Sequence, residues 1–301
     1  MKLLPLSPGM PPDVVEKLRW ETYGHRRSQC LTSPEDQVRF TQKRGFVLLF
    51  PISGIRYPSI LEATVGRPLL DFIWDERSRS MAQWHAQTLC SRKVVLSAVL
   101  AGQKTVVSPG FLANFYRLSE LPGDESDCLH LQKQGRVGVD VVAIAQALAK
   151  RGSLSRQALA QETAMHAPAA QPRFTQAIAD ALRFLLVVEV DVTEKDVFPL
   201  QPVFDLLPRT FPAVIKKARS LSSETAREHI LCRFLRNVLV EAGHEMSRVL
   251  GWPESVVLST CAALVKKRHV MPHPASRPNR HLFQAVSTDL LENLPDDAAA
   301  D

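Results

Sequence analysis

The chain has 301 residues, of which 45% are hydrophobic and 23% are charged. This balance excludes a disordered chain, which would be poor in apolar residues and rich in charge, and the length permits one to three compact domains. The longest apolar runs, such as residues 45–50 and 184–188, are far shorter than the roughly 20 residues of a membrane-spanning helix, and the N-terminus has too little apolar length for a secretory signal. We therefore expect a cytoplasmic protein, associated with the nucleoid if its source is prokaryotic.

Positive charge is concentrated in the body of the chain. The formal net charge is +6, but residues 281–301 contain five Asp and Glu and no Lys or Arg, so residues 1–280 carry +11. A basic body favours a polyanion such as nucleic acid, because each contact with a phosphate releases condensed counterions. Residues 288–301 are predicted to form an acidic tail.

Residues 1–135 predict an N-terminal winged-helix-like unit with additional helices. Helical patterns cover residues 14–23 and 34–45, with Ser33 as the N-cap and Pro34 in the first turn of the second helix. A strand is predicted over 46–50 and another over 104–107. Further helices are predicted over 57–65, 78–89 and 109–118.

Residues 136–222 predict a middle winged helix. Apolar spacing indicates a helix over 140–150, and Leu154 and Ser155 precede a second helix that continues to about residue 164. A third helix is predicted over 172–186. The apolar stretches 187–192 and 197–204 flank a polar turn and predict a β-hairpin.

Residues 223–287 repeat this order and predict a C-terminal winged helix. A long helix over 224–242 is expected to end at Gly243, followed by a short helix over 245–250 and a third helix that starts at Pro253. Strands are predicted over 269–273 and 280–286. The fold class is therefore mainly α with small β-hairpins (α+β), built from tandem winged helix-turn-helix units.

The third helix of a winged helix enters the major groove, and the hairpin contacts the backbone or the minor groove. The polar residues at these positions predict binding to double-stranded DNA, including damaged DNA, through Arg173, Gln176, Arg183, Lys266, Lys267, Arg268, Arg277 and Arg280. Winged helices also bind proteins, so a protein-interaction scaffold remains an alternative. The oligomeric state is not predicted.

Aromatic residues of the N-terminal third are candidates for stacking on an extruded base, which requires aromatic faces and nearby polar groups. They are Tyr57, Trp74, Trp84 and Tyr116. Packing in the core is the alternative interpretation for each of them. The five cysteines form no C-x-x-C pair, and no phosphate-binding loop or dinucleotide fingerprint is present, so we expect no metal and no cofactor.

The stretch RGFVLLFPISGIRYPSILEA from Arg44, with TVVSPGFLANFYRLS from Thr105 and RFTQAIADALRFLLVVEVDV from Arg173, resembles the AlkZ-related winged-helix proteins. Their superfamily includes the AlkZ/YcaQ interstrand-crosslink DNA glycosylases. The resemblance covers residues 31–271 in matching order. It implies tandem winged helices around DNA and a role in the repair of alkylated or crosslinked bases.

The glycosylases of this superfamily carry a Gln-apolar-Gln or Gln-apolar-Asp motif shortly after a glycine, and its polar groups position water. Placing Gly45 on that glycine puts Leu48 and Phe50 at the two polar positions. Neither side chain can hold water, so the resemblance implies a DNA-binding protein without the catalytic motif. The alternative is a monofunctional DNA glycosylase that excises alkylated or crosslinked bases with other catalytic residues, for which the candidates are Glu62, Asp71, Glu76 and His85.

Overall fold

The computed structural model describes residues 6–25, 30–69, 75–193, 201–277 and 280–286. The helices in these ranges are α1 (Pro12–Tyr23), α2 (Pro34–Arg44), α3 (Ile60–Val65), α4 (Glu76–Cys90), α5 (Pro109–Ser119), α6 (Asp127–Lys133), α7 (Val139–Arg151), α8 (Arg156–Glu162), α9 (Gln171–Arg183), α10 (Leu207–Thr210), α11 (Pro212–Arg219), α12 (Ser223–Val238), α13 (Gly243–Leu250) and α14 (Glu254–Lys266). The strands are β1 (Phe46–Leu48), β2 (Val95–Leu100), β3 (Gln103–Val107), β4 (Leu154–Ser155), β5 (Val187–Val192), β6 (Pro202–Leu206), β7 (Val240–Ala242), β8 (Val270–Pro272) and β9 (Leu282–Ala285). This arrangement of many helices and small sheets confirms the predicted α+β class. In the described ranges, no single helix has the length and hydropathy needed to cross a membrane.

The chain divides into two compact units. The first contains Met1–Leu31, Val47–Phe72 and Ser222–Asp301, and the second contains Thr32–Phe46 and Ile73–Leu221. The boundaries expected from the sequence, at residues 135/136, 222/223 and 287/288, remain predictions.

The core of the second unit is built on α7, α9 and a three-stranded sheet. The apolar face of α9 is buried, with Phe174 fully enclosed, as the four-residue spacing of its apolar side chains predicts. Strand β6 lies between β4 and β5, and Leu154 and Glu189 both pair with Phe204. The helix predicted over 172–186 ends earlier, at Arg183. Leu185, whose φ is 57°, then turns the backbone so that β5 can begin two residues later.

A second hairpin of this unit joins β2 and β3, which pair from Val95 with Val107 to Leu100 with Gln103. Strand β2 is not among the predicted elements, because its mostly apolar sequence VLSAVL has no regular alternation and is nearly all buried. The two helices that follow are fixed by a buried contact, in which the Tyr116 hydroxyl donates a hydrogen bond to the Asp127 carboxylate.

The Asp205 carboxylate links three segments of the second unit. It accepts hydrogen bonds from Ser153 Oγ at 2.7 Å and from the Arg209 guanidinium, which also donates to the Leu148 carbonyl at 2.9 Å. We expect Asp205→Ala to lower the free energy of unfolding by about 2 kcal/mol, because the partners of the carboxylate lose their acceptor in a partly buried site.

Urea denaturation of Asp205→Ala and of a matched control, Asp140→Ala, measures this effect. Asp140 accepts from Arg173 at 2.7 Å, but that arginine side chain is 65% exposed, so its ion pair should contribute no more than about 0.5 kcal/mol. Equal losses in the two variants would contradict the prediction.

In the first unit, α12, α13 and α14 pack with a sheet in which β9 lies between β7 and β8. The helix predicted over 224–242 was too long, because α12 ends at Val238 and Leu239 has a φ of 67°. Residues 240–242 instead pair with 282–284 as a strand, a long-range contact that helical periodicity cannot reveal. Gly243 therefore begins α13, and a Cβ there would lie 2.7 Å from Leu258 Cδ2.

Helix α1 is attached to the end of α12 by a buried arginine. Arg19 Nε donates to the Val238 carbonyl at 2.9 Å, and Nη2 donates to the Val240 carbonyl at 2.7 Å. These carbonyls lie where α12 stops, so the guanidinium satisfies acceptors that the helix leaves open. The orientation of α1 within the first unit is thereby fixed.

Candidate functional site

A cavity of about 520 Å³ lies in the first unit, a size typical of ligand sites. Its wall is formed by α1 with the turn that follows it, by the loop 50–57 between β1 and α3, and by residues 62 and 68–69. The lining combines aromatic and aliphatic side chains with a few charged groups. Such a mixture suits a ligand that has an apolar face and a polar edge.

His25 is brought into this cavity by the end of α1. Gly24 has a φ of 73°, a left-handed conformation that favours glycine, and the chain turns so that His25 N–H donates to the Trp20 carbonyl at 2.9 Å. The imidazole then meets the rings of Trp20 and Tyr23 edge to face, with centroids 5.8 Å and 5.5 Å away. A helical turn thus positions a histidine between two aromatic side chains.

Glu62 is the buried carboxylate of the cavity wall, and it is held by two donors. Ser59, the N-cap of α3, donates its hydroxyl to Glu62 Oε2 at 3.0 Å, and Leu69 N–H donates to Oε1 at 3.0 Å. His25 Nε2 lies 3.6 Å from Oε2, which is longer than a hydrogen bond. This buried nitrogen has no hydrogen-bond partner among the described residues. The carboxylate is therefore oriented, whereas the imidazole has unused hydrogen-bonding capacity.

Tyr23 and Arg56 meet at another part of the wall. The Tyr23 hydroxyl donates to the Arg56 carbonyl at 3.2 Å. Burial raises the pKa of Tyr23, so its side chain remains a neutral phenol. The Arg56 residue itself is exposed, so a cation is present where the cavity meets solvent.

Tyr57 and Phe50, which the sequence analysis also singled out, line the cavity together with Glu62. Tyr57 is 2% exposed, stacks on Phe234 with centroids 4.9 Å apart, and accepts a hydrogen bond from Asn237. Phe50, at the second motif position, also lines the cavity, whereas Leu48, at the first, is fully buried.

The remaining candidates are elsewhere. Trp84 is half-buried, Tyr116 is buried, Glu76 is exposed and His85 is buried, all in the second unit. Asp71 and Trp74 lie outside the described residues.

Sequence reasoning missed Trp20, Tyr23 and His25 as members of the site. The segment WETYGH, residues 20–25, could have indicated them. In it, two aromatic residues three positions apart share a helix face, and a glycine ends the helix just before a histidine. Nothing in the local sequence places this segment beside Glu62, because that proximity depends on packing within the first unit.

The residues predicted to contact DNA are all exposed, but their electrostatic environments differ. Arg173 pairs with Asp140 at 2.7 Å, and Lys267 pairs with Glu228 at 2.6 Å. The Gln176 amide donates to Asp180, and the Arg183 guanidinium lies over the Phe184 ring. In the part of the chain that the structure describes, no ion pair is found for Lys266, Arg268, Arg277 or Arg280.

Metal binding has no evident site in the described ranges, where no group of three or more His, Cys, Asp or Glu side chains is arranged to hold an ion. The Glu62 carboxylate and the His25 imidazole can both form hydrogen bonds to a ligand in the cavity.

The fold and the cavity define a mainly helical α+β protein with small antiparallel hairpins and a buried carboxylate beside an imidazole. The model of the AlkZ-related family matches residues 31–251, so the chain belongs to this family, and the predicted resemblance is confirmed. The match relates the chain to DNA-repair glycosylase-like proteins. No curated protein and no solved structure matches the sequence.

Proposed function

We propose that this protein binds double-stranded DNA, including damaged DNA, through winged-helix units and without the catalytic motif of the related glycosylases. The observation that carries the proposal is a repeated order of elements. The segments α7-β4-α8-α9-β5-β6 and α12-β7-α13-α14-β8-β9 follow the same order, and in each sheet the last strand lies between the other two. This is the order in which a winged helix presents its third helix and its hairpin.

The N-terminal part repeats this order of elements once more along the chain, as α2-β1-α3-α4-β2-β3. Three occurrences of an element order typical of DNA-binding modules, in a body with a charge of +11, support nucleic acid over a protein partner. A protein-interaction scaffold would instead bind a protein tightly and have no affinity for DNA.

The exposed cations at the end of α14 and in the following hairpin are the best-placed phosphate contacts. Lys266 and Arg268 flank Lys267, whose charge is already neutralised by Glu228, while Arg277 and Arg280 pair through their backbones in the turn. A cation that has no ion pair loses no existing electrostatic interaction when it binds a phosphate. Lys266 and Arg268 should therefore contribute more to DNA binding than Lys267.

The double variant Lys266→Gln/Arg268→Gln should reduce the slope of log K against log salt by about 2, whereas Lys267→Gln should reduce it by less than about 1. Fluorescence anisotropy with a labelled duplex, titrated at several salt concentrations, gives these slopes. The matched control is Lys150→Gln/Lys216→Gln, which removes two exposed lysines from other helices. An unchanged slope in the first variant, or an equal reduction in the control, would reject the assignment.

A second candidate function is base release by a monofunctional DNA glycosylase. The observation that favours it is the placement of Glu62 in the cavity, where an oriented buried carboxylate can hold a water molecule or stabilise a developing positive charge. Glu62 then replaces the polar groups that Leu48 and Phe50 lack. Among the four candidate acids and bases, it is the residue that the cavity supports.

A further inference from the structure

We propose that the cavity of the first unit binds a single nucleotide, with the donor edge of its base on Glu62 and His25 and its phosphate at Arg56. The ligand class is a planar nitrogen heterocycle joined to an anionic group. This inference goes beyond binding of a duplex, because it assigns a separate site whose ligand is one unpaired nucleotide.

The polar end of the cavity has unused hydrogen-bonding capacity. A carboxylate offers about four lone-pair positions, and the Ser59 hydroxyl and the Leu69 N–H occupy two of those on Glu62. His25 is 7% exposed, lines the cavity, and leaves Nε2 without a partner among the described residues. A ligand that presents adjacent polar atoms along one edge would satisfy both groups at once, as the edge of a nucleobase does.

The positions of the Glu62 carboxylate and the His25 imidazole favour one kind of base over another. Guanine has two adjacent N–H donors that match a carboxylate, followed by a carbonyl that a donor on His25 Nε2 would meet. Thymine has one N–H between two carbonyl acceptors, and those oxygens would face the negative Glu62 carboxylate. We therefore expect a guanine nucleotide to bind more tightly than a thymine nucleotide.

The walls of the cavity suit the faces of a base. Trp20 and Tyr23 supply aromatic surface beside His25, and Ile52 and Ile55 supply aliphatic surface from the loop 50–57. Trp20 is 41% exposed, so a large aromatic side chain is left uncovered next to a buried polar pair. Bases stack on such rings without regard to sequence.

Arg56 supplies the site for the phosphate. Its carbonyl is fixed by the Tyr23 hydroxyl, and its exposed side chain has no ion pair with another described residue. A guanidinium binds phosphate oxygens with two parallel hydrogen bonds, a geometry that lysine lacks. The base would then lie inward at Glu62 and the phosphate outward at Arg56.

Titration calorimetry with GMP, guanosine and dTMP tests the site on the full chain. We expect Glu62→Gln to weaken GMP binding about tenfold or more, and Arg56→Gln to weaken GMP binding several-fold while leaving guanosine binding unchanged. Glu254→Gln and Lys17→Gln make the same charge changes at exposed positions outside the cavity and should bind like the wild type. Circular dichroism confirms that each variant is folded, and Arg56→Gln changes only an exposed side chain.

A second experiment distinguishes two sources of the nucleotide and uses a duplex that carries 6-methylisoxanthopterin, a fluorescent guanine analogue with the same donor edge, opposite an abasic site. Fluorescence that rises on protein binding and is lost in Glu62→Gln indicates a base extruded from DNA, whereas GMP binding alone indicates a free nucleotide. Lys266→Gln/Arg268→Gln should leave GMP binding unchanged, so loss of duplex binding is distinguishable from loss of this site. If neither GMP binding nor the fluorescence of the labelled duplex responds to Glu62→Gln, the proposal is wrong.

Discussion

Raising the salt concentration from about 50 to about 200 mM should weaken the binding of a short duplex by about 100-fold or more. Four of the predicted contacts, Lys266, Arg268, Arg277 and Arg280, have no ion pair with another described residue and carry this expectation. Each phosphate that they neutralise contributes about 0.9 to the slope of log K against log salt, so four contacts over a fourfold change in salt give this loss. Anisotropy titrations with a duplex of arbitrary sequence measure it.

Breaking the ion pair between Lys267 and Glu228 should instead strengthen DNA binding. Glu228→Gln removes the partner that holds Lys267 Nζ at 2.6 Å, so this ammonium becomes available to a phosphate. The slope should then become steeper by up to about 1, and affinity at low salt should increase. An affinity that does not respond to salt in either protein would reject DNA binding through these residues.

Replacing His85 with leucine should stabilise the protein, and the gain should be largest in acid. His85 is 8% exposed in α4, and neither ring nitrogen has a hydrogen-bond partner among the described residues. Burial, and secondarily the Lys104 ammonium, lower the pKa of His85 to about 3. Because a buried polar group without a partner costs about 1–3 kcal/mol, removing it should raise the free energy of unfolding even at neutral pH.

The pH dependence follows from the difference between the two states. An unfolded histidine takes up a proton below its ordinary pKa of about 6.5, whereas folded His85 does not until about pH 3. The unfolded state therefore binds more protons in this window, and stability is lost as the pH falls from about 6.5 towards about 3. The loss contributed by this one group is on the order of 4 kcal/mol at the acid end of the window.

Urea denaturation at pH 4.5 and pH 7.5 separates these contributions. The His85→Leu variant should lose less stability between the two pH values than the wild type does. The control, His166→Leu, changes an exposed histidine of the same unit and should keep the pH dependence of the wild type. The same acid destabilisation in His85→Leu and in the wild type would show that another group controls it.

Local signals in the sequence were sufficient for several elements of the fold. Ser33 and Ser155 cap α2 and α8, accepting backbone N–H bonds from Asp36 and Ala158, as their positions before apolar periodic segments indicate. The apolar stretch at 187–192, followed by a polar turn, likewise indicates β5. These features depend on interactions between residues a few positions apart, so the local sequence is sufficient to predict them.

Other elements depend on contacts between distant parts of the chain and were not predictable in this way. Residues 240–242 continue an apolar helical pattern, but pairing with 282–284 makes them a strand. Glu62 was a candidate from its residue type, whereas its proximity to His25 requires α1 and α3 to pack within one unit. The cavity is for the same reason a property of the folded chain that spacing alone does not reveal.

Single-turnover base release, measured with protein in excess over alkylated or crosslinked duplex DNA, distinguishes a DNA-binding protein from a glycosylase. We expect a salt-dependent complex in which every modified base remains attached to its sugar. Release that is present in the wild type and lost in Glu62→Gln, with DNA binding retained, would contradict a purely binding role. In that case the protein is a glycosylase whose carboxylate is Glu62.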